Sequence, residues 1–109
     1  MIEIRVIRDG AGQALGFESR GHAEYADEGY DIICAAVSVL ELNLANSVSG
    51  LTCADFKCEA DDEAGAFSFR LADAENRDAR LLLDSCLLGL KSVQAEYGER
   101  YIQMIDQEV

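Results

Sequence analysis

Two side chains in this sequence have the types and spacing for nucleophilic chemistry. His22 is the single histidine of the chain, and Cys34, one of four cysteines, follows twelve positions later. A thiolate can attack a carbonyl carbon. A neighbouring imidazole can hold that thiolate as an ion pair and then protonate the leaving amine. Between the two runs an acidic stretch, Ala23 to Tyr30, with little apolar surface and two tyrosines.

The residues after that stretch predict a helix. Asp31 suits the N-cap position, where a carboxylate accepts hydrogen bonds from unpaired first-turn N–H groups. Ile33, Val37, Leu40, Leu44 and Val48 recur at helical spacing, and Gly50 is a natural stop. With that cap, Cys34 becomes the third helical residue, within the field that stabilises a thiolate, although the Asp31 carboxylate opposes it. The N–H groups around Cys34 then point out of a helix end and offer an oxyanion hole. Ser38 lies one turn on, on the same face, and is placed to support the site. Asp31 is also the best candidate to orient His22.

Blander readings of the same residues stand beside this one. A histidine after a glycine at a strand end is commonly a surface residue. A cysteine among Ile33, Ala35 and Ala36 is commonly a small core hydrophobe. Strand alternation puts His22 on the outward side with Glu18 and Arg20 unless the chain bends at Gly21.

The remaining elements would have to hold these two side chains in register. Ile2 to Arg8 alternates as a half-buried strand with Ile2, Ile4 and Val6 on one face. Asp9 to Gly12 is turn chemistry, and a second strand is predicted from about Gln13 to Gly21 with Leu15 and Phe17 inward. After the helix, Thr52 to Ala60 reads as a strand with Ala54, Phe56 and Cys58 on one side. Asp61 to Gly65 turns it into Ala66 to Leu71, where Phe67, Phe69 and Leu71 align. The acidic triplet of that turn lacks the alternating ligand spacing of a calcium loop. A long helix from Asn76 to Tyr97 carries a broad apolar stripe, with Gly89 inside it as a point of close packing. A last strand runs from Tyr101 to Asp106. The order is ββαββαβ over one domain, residues 1–109, and predicts an α+β fold: a mostly antiparallel sheet packed by two amphipathic helices.

Composition narrows the classes. At 109 residues, half of them hydrophobic, the chain has enough apolar surface for its own core. No apolar run is expected to reach the roughly 20 residues that span a bilayer. The opening residues alternate like a strand and do not resemble a signal peptide. A cytoplasmic, non-membrane protein is the expectation. The four cysteines fall in predicted helices and strands, Cys53 and Cys58 on opposite faces of one strand, and not in a disulfide framework. With one histidine and no C-x-x-C pair, neither a zinc site nor any cofactor is expected. The net charge of −12 disfavours direct nucleic-acid binding and suits a basic protein partner, or simply keeps a small domain soluble.

The run Gly21-His22-Ala23, then Gly29, then Asp31-Ile32-Ile33-Cys34-Ala35-Ala36-Val37-Ser38, closely resembles the signature of the ribosomal-processing cysteine protease family, Prp. Size, acidity, the opening strand pair and the long second helix are similar too. The resemblance implies a cytoplasmic endopeptidase that removes the N-terminal extension of a large-subunit ribosomal protein, number twenty-seven. It implies Cys34 as nucleophile, His22 as general base, and supporting roles for Asp31 and Ser38. It also implies a homodimer with a mobile loop over Ala23 to Tyr30. Two other readings remain open on the residues alone: a non-enzymatic ribosome-assembly binding module, and a redox-sensing thiol protein.

Overall fold

The structure, a computed structural model, describes the backbone of residues 1–21 and 28–109 and the side chains of residues 1–21 and 32–109. Strands β1 (Ile2–Arg8) and β2 (Ala14–Arg20) form the expected hairpin, and helix α1 spans Glu28–Leu51. Strands β3 (Phe56–Asp61) and β4 (Ala66–Leu71), helix α2 (Arg77–Tyr97) and strand β5 (Ile102–Glu108) follow. The five strands form one sheet in the order β3-β4-β2-β1-β5. Three neighbouring pairs are antiparallel, and β1 with β5 is parallel from Ile2↔Ile102 to Arg8↔Glu108. The sheet is therefore mixed and mostly antiparallel.

Strand period decides which side of the sheet is covered. Ile2, Ile4 and Val6, with Phe17, Phe67, Phe69, Leu71 and Ile102, are buried in one cluster. Ile33, Val37, Leu44 and Val48 of α1 and Ala79, Leu83, Leu87 and Leu90 of α2 complete that cluster from above. On the opposite face Glu3 stands across from Arg20 and Arg5 across from Glu18, opposite charges in register that suit a solvated surface. The result is a two-layer α+β domain with one core.

The helices meet where Gly89 lies under Leu40; a Cβ on that glycine would come within 2.9 Å of the Leu40 side chain. Close packing of α1 on α2 thus explains a glycine inside a helix. Asn76 caps α2, its side chain accepting from the Ala79 N–H at 3.0 Å.

Several expectations are corrected. Helix α1 starts at Glu28, so Asp31 is its fourth residue and not its cap. Carboxylates are favoured within the first turn as well as at the cap, so Glu28 and Asp31 mark a neighbourhood and not one residue. Strand β3 begins at Phe56 and not at Thr52. Residues 52–55 serve the helix exit instead: Thr52 Oγ1 donates to the Val48 carbonyl and accepts from the Ala54 N–H. Cys53 therefore lies off the strand, and both it and Cys58 are exposed. Finally, Ile32–Leu51, 20 residues with mean hydropathy 1.6, is long and apolar enough to cross a membrane by length and composition. The polar residues spread through it, including Glu41, hide that run from an eye searching for an unbroken apolar block. Its Ile33, Val37, Leu44 and Val48 face sits in the core.

Candidate active site

Strand β2 ends at Arg20, and the chain turns at once. Gly21 has φ +112, a left-handed conformation that L side chains rarely adopt, and a Cβ there would run into the Met1 carbonyl oxygen. Its N–H donates to the Gly65 carbonyl at 3.0 Å, tying the bend to the β3–β4 turn. The bend that would release His22 from strand alternation is present. Gly21→Ala is expected to destabilise the domain by at least about 2 kcal/mol, from left-handed strain alone. Urea unfolding measures it, and an unchanged midpoint would refute the account.

Helix α1 starts close after this bend. Cys34 is its seventh residue, two turns in, partly buried against the core. The helix macrodipole acts mainly over the first turn, and interior N–H groups are spent on the i−4 ladder. The expected oxyanion hole from the Cys34 N–H, argued from a helix end, is therefore corrected. Ser38 is exposed one turn on. His22 lies outside the described residues, as does the Asp31 side chain, so their geometry toward Cys34 is not described.

Cys34 and Ser38 line a cleft of about 230 Å³ between α1 and the sheet. Val37, Glu41 and Leu42 extend its α1 wall, and Ile2, Ser19 and Gly21 belong to its sheet side. The end of β3 adds Asp61 and the turn after it Asp62 and Gly65, with Phe67 on β4. Glu41 is not among the residues that the sequence motif points to. It is buried, 7% exposed, and accepts a 2.5 Å hydrogen bond from the Ser19 hydroxyl, itself 5% exposed. Burial pushes the Glu41 carboxyl up to about 7, against a smaller downward pull from Ser19. Its heptad spacing from Cys34 was the available signal, since i and i+7 share a helix face.

The other thiols sit differently. Cys86 is buried, donates to the Leu40 carbonyl at 3.5 Å, and is pushed up to about 12 by burial and then by the Glu41 charge. The same two causes raise Cys58. Of the four cysteines, Cys34 alone lines this cleft.

A family model described as cysteine protease Prp matches residues 1–103. The chain belongs to the cysteine protease Prp family. A ribosomal processing cysteine protease Prp from Staphylococcus aureus is 31% identical over 99 residues, 91% of this chain and 93% of that one. The Bacillus subtilis protein of the same name is 27% identical over 103 residues, 91% of this chain and 92% of that one. The S. aureus protease has been solved in complex with a substrate peptide; that structure has TM-score 0.90 and 28% identity, covering 98% of this chain and all of the other. Its complex with a covalently linked product peptide has TM-score 0.88 and 29% identity, with the same coverage. As a Prp family member the chain is a cysteine protease, which decides against the binding-module and redox-thiol readings as accounts of its activity.

Proposed function

We propose that this chain is an endopeptidase that removes the N-terminal extension of large-subunit ribosomal protein twenty-seven in the cytoplasm, with Cys34 as nucleophile and His22 as general base. The observation that carries the reading is the placement of Cys34: it is the thiol that opens on a cleft large enough for a substrate side chain. The Cys34 sulfur attacks the scissile carbonyl carbon and an S–C bond forms. His22 gives its proton to the nitrogen, the C–N bond breaks, and the new amine leaves. Water then attacks the thioester, His22 takes a proton from it, and the C–S bond breaks to return the thiolate and release the extension as the free acid. Ser38 supports the mouth of the cleft, and Asp31 supports His22. A net charge of −12 favours encounter with a basic ribosomal substrate.

The test is incubation with the extended ribosomal protein followed by mass spectrometry. Cleavage at one bond supports the reading; an intact substrate at saturating concentration removes it.

A homodimer belongs to the same reading. Val39 is 65% exposed on α1 and Leu88 67% exposed on α2, with Leu81 similarly open, apolar surface that a second copy would cover. Analytical ultracentrifugation is expected to give twice the 11.9 kDa chain mass. A monomer mass at tens of micromolar would retire the dimer.

A further inference from the structure

Among the described residues, two polar side chains are buried, Ser19 and Glu41, and they are hydrogen-bonded to each other. A buried carboxyl is an unfavourable choice where an apolar side chain of similar volume would pack. This one lies on the helix face that carries Cys34 and Ser38, at positions i, i+4 and i+7, and lines the cleft they open. Cys34 is partly buried and Ser38 exposed, so the cleft runs from an open mouth to a floor made by Glu41 and Ser19. Between mouth and floor its walls are apolar, from Val37, Leu42 and Phe67. The charged residues that line it are Glu41, Asp61 and Asp62, all acidic, among the described residues.

We propose that Glu41, with Ser19, determines substrate specificity: it receives the hydrogen-bond-donating tip of a substrate side chain close to the scissile bond, whose apolar stem lies along Val37, Leu42 and Phe67. The inference rests on the reading of Cys34 as the nucleophile of a peptidase. A purely aliphatic side chain would leave the Glu41 carboxyl without water or partner from the substrate, and an acidic one would meet three carboxyls of its own sign. A lysine, an arginine or a glutamine supplies both the stem and the donor.

The test uses a peptide series carrying lysine, glutamine, norleucine or glutamate in turn at each position flanking the cleaved bond. Cleavage is measured with the native chain, Glu41→Gln and Glu41→Leu. Binding of the same peptides to the Cys34→Ala protein, with and without Glu41→Leu, is read by fluorescence anisotropy. At one position the native chain is expected to prefer lysine or glutamine at least tenfold over norleucine, and to reject glutamate. Glu41→Leu is expected to reverse the first preference, mainly through KM. Glu41→Gln keeps the shape of the side chain and its contact to Ser19, and separates the two donors: it weakens the response to lysine and spares that to glutamine. A preference unchanged by Glu41→Leu in both cleavage and binding overturns the proposal. Failure of the native chain to cut any peptide, with the donor preference still present in binding, removes the peptidase reading and leaves the role of Glu41 standing.

Discussion

Cys34→Ala and His22→Ala are each expected to lower kcat/KM for the extended ribosomal protein by at least about 10³-fold, and the double variant by little more than the worse single one. In the proposed mechanism Cys34 supplies the atom that bonds to the substrate, and none of the other three thiols is placed to stand in for it. Cys86 is buried and its thiol is held protonated, pushed up to about 12, while Cys53 and Cys58 are exposed but do not line the cleft. Without the sulfur there is no acyl-enzyme for His22 to serve, so the two losses describe one step and do not add. Cys53→Ala and Cys58→Ala should leave the rate within about twofold, as expected of surface substitutions away from the reacting groups. Retention of a tenth of the native rate by Cys34→Ala would show that the nucleophile lies elsewhere. Losses that multiplied in the double variant would show that His22 acts outside the step of Cys34.

The second large effect is on stability and follows from Glu41. Its carboxyl is raised from 4.5 to about 7 in the folded chain, so the folded state holds this proton more tightly than the unfolded one. The stability it contributes is fully present below pH 4.5 and is lost as pH climbs through 7. At 1.36 kcal/mol per pH unit, the loss is about 3 kcal/mol. Facing groups do not blur the window: Cys58 on β3 and Cys86 on α2 are both raised from 9.0 and stay neutral through it. Asp61 and Asp62 line the same cleft. Glu41→Gln keeps a partner for Ser19 and removes the titration, so it is expected to gain about 3 kcal/mol on the native chain between pH 4.5 and pH 8. Glu41→Leu should gain the same amount over this interval from a lower starting stability, because the buried Ser19 hydroxyl is orphaned at both pH values. Urea unfolding at the two pH values reads the difference. An equal gap between native and Glu41→Gln at both would mean that folding does not raise the Glu41 carboxyl.

Much of this molecule was legible because its signals are local. Alternation in Ile2–Arg8 and Ala66–Leu71 marked the strand bounds that the structure has, and the stripe of α2 carried its core residues, Ala79, Leu83, Leu87 and Leu90. What failed depended on competition between neighbours. Thr52 looks like a strand residue until its hydroxyl is seen to bond the Val48 carbonyl, and Asp31 looks like a cap until three residues before it join the helix. The sheet order was beyond reach because the β1–β5 pairing joins opposite ends of the chain. Cys34 and Ser38, which the motif singles out, both line the cleft. Glu41 was not legible, since a glutamate inside an apolar helix reads as a solvent-facing residue until the hydroxyl of Ser19 is placed against it.

That β1–β5 pairing also bears on how the chain must be made. Synthesis proceeds from the N-terminus, so β1 emerges ahead of the other four strands and can pair with β2 early. The partner for its other edge, Ile102–Glu108, is the last of the five strands to appear. Until then the row of N–H and C=O groups along that side of β1 is a template for any extended segment nearby, including that of another nascent copy. Completion is a long-range closure, slow by comparison with hairpin formation. A chain cut short before Ile102 would be left with a bare edge on its oldest strand, and chaperone capture or clumping of such fragments would be its fate in the cell.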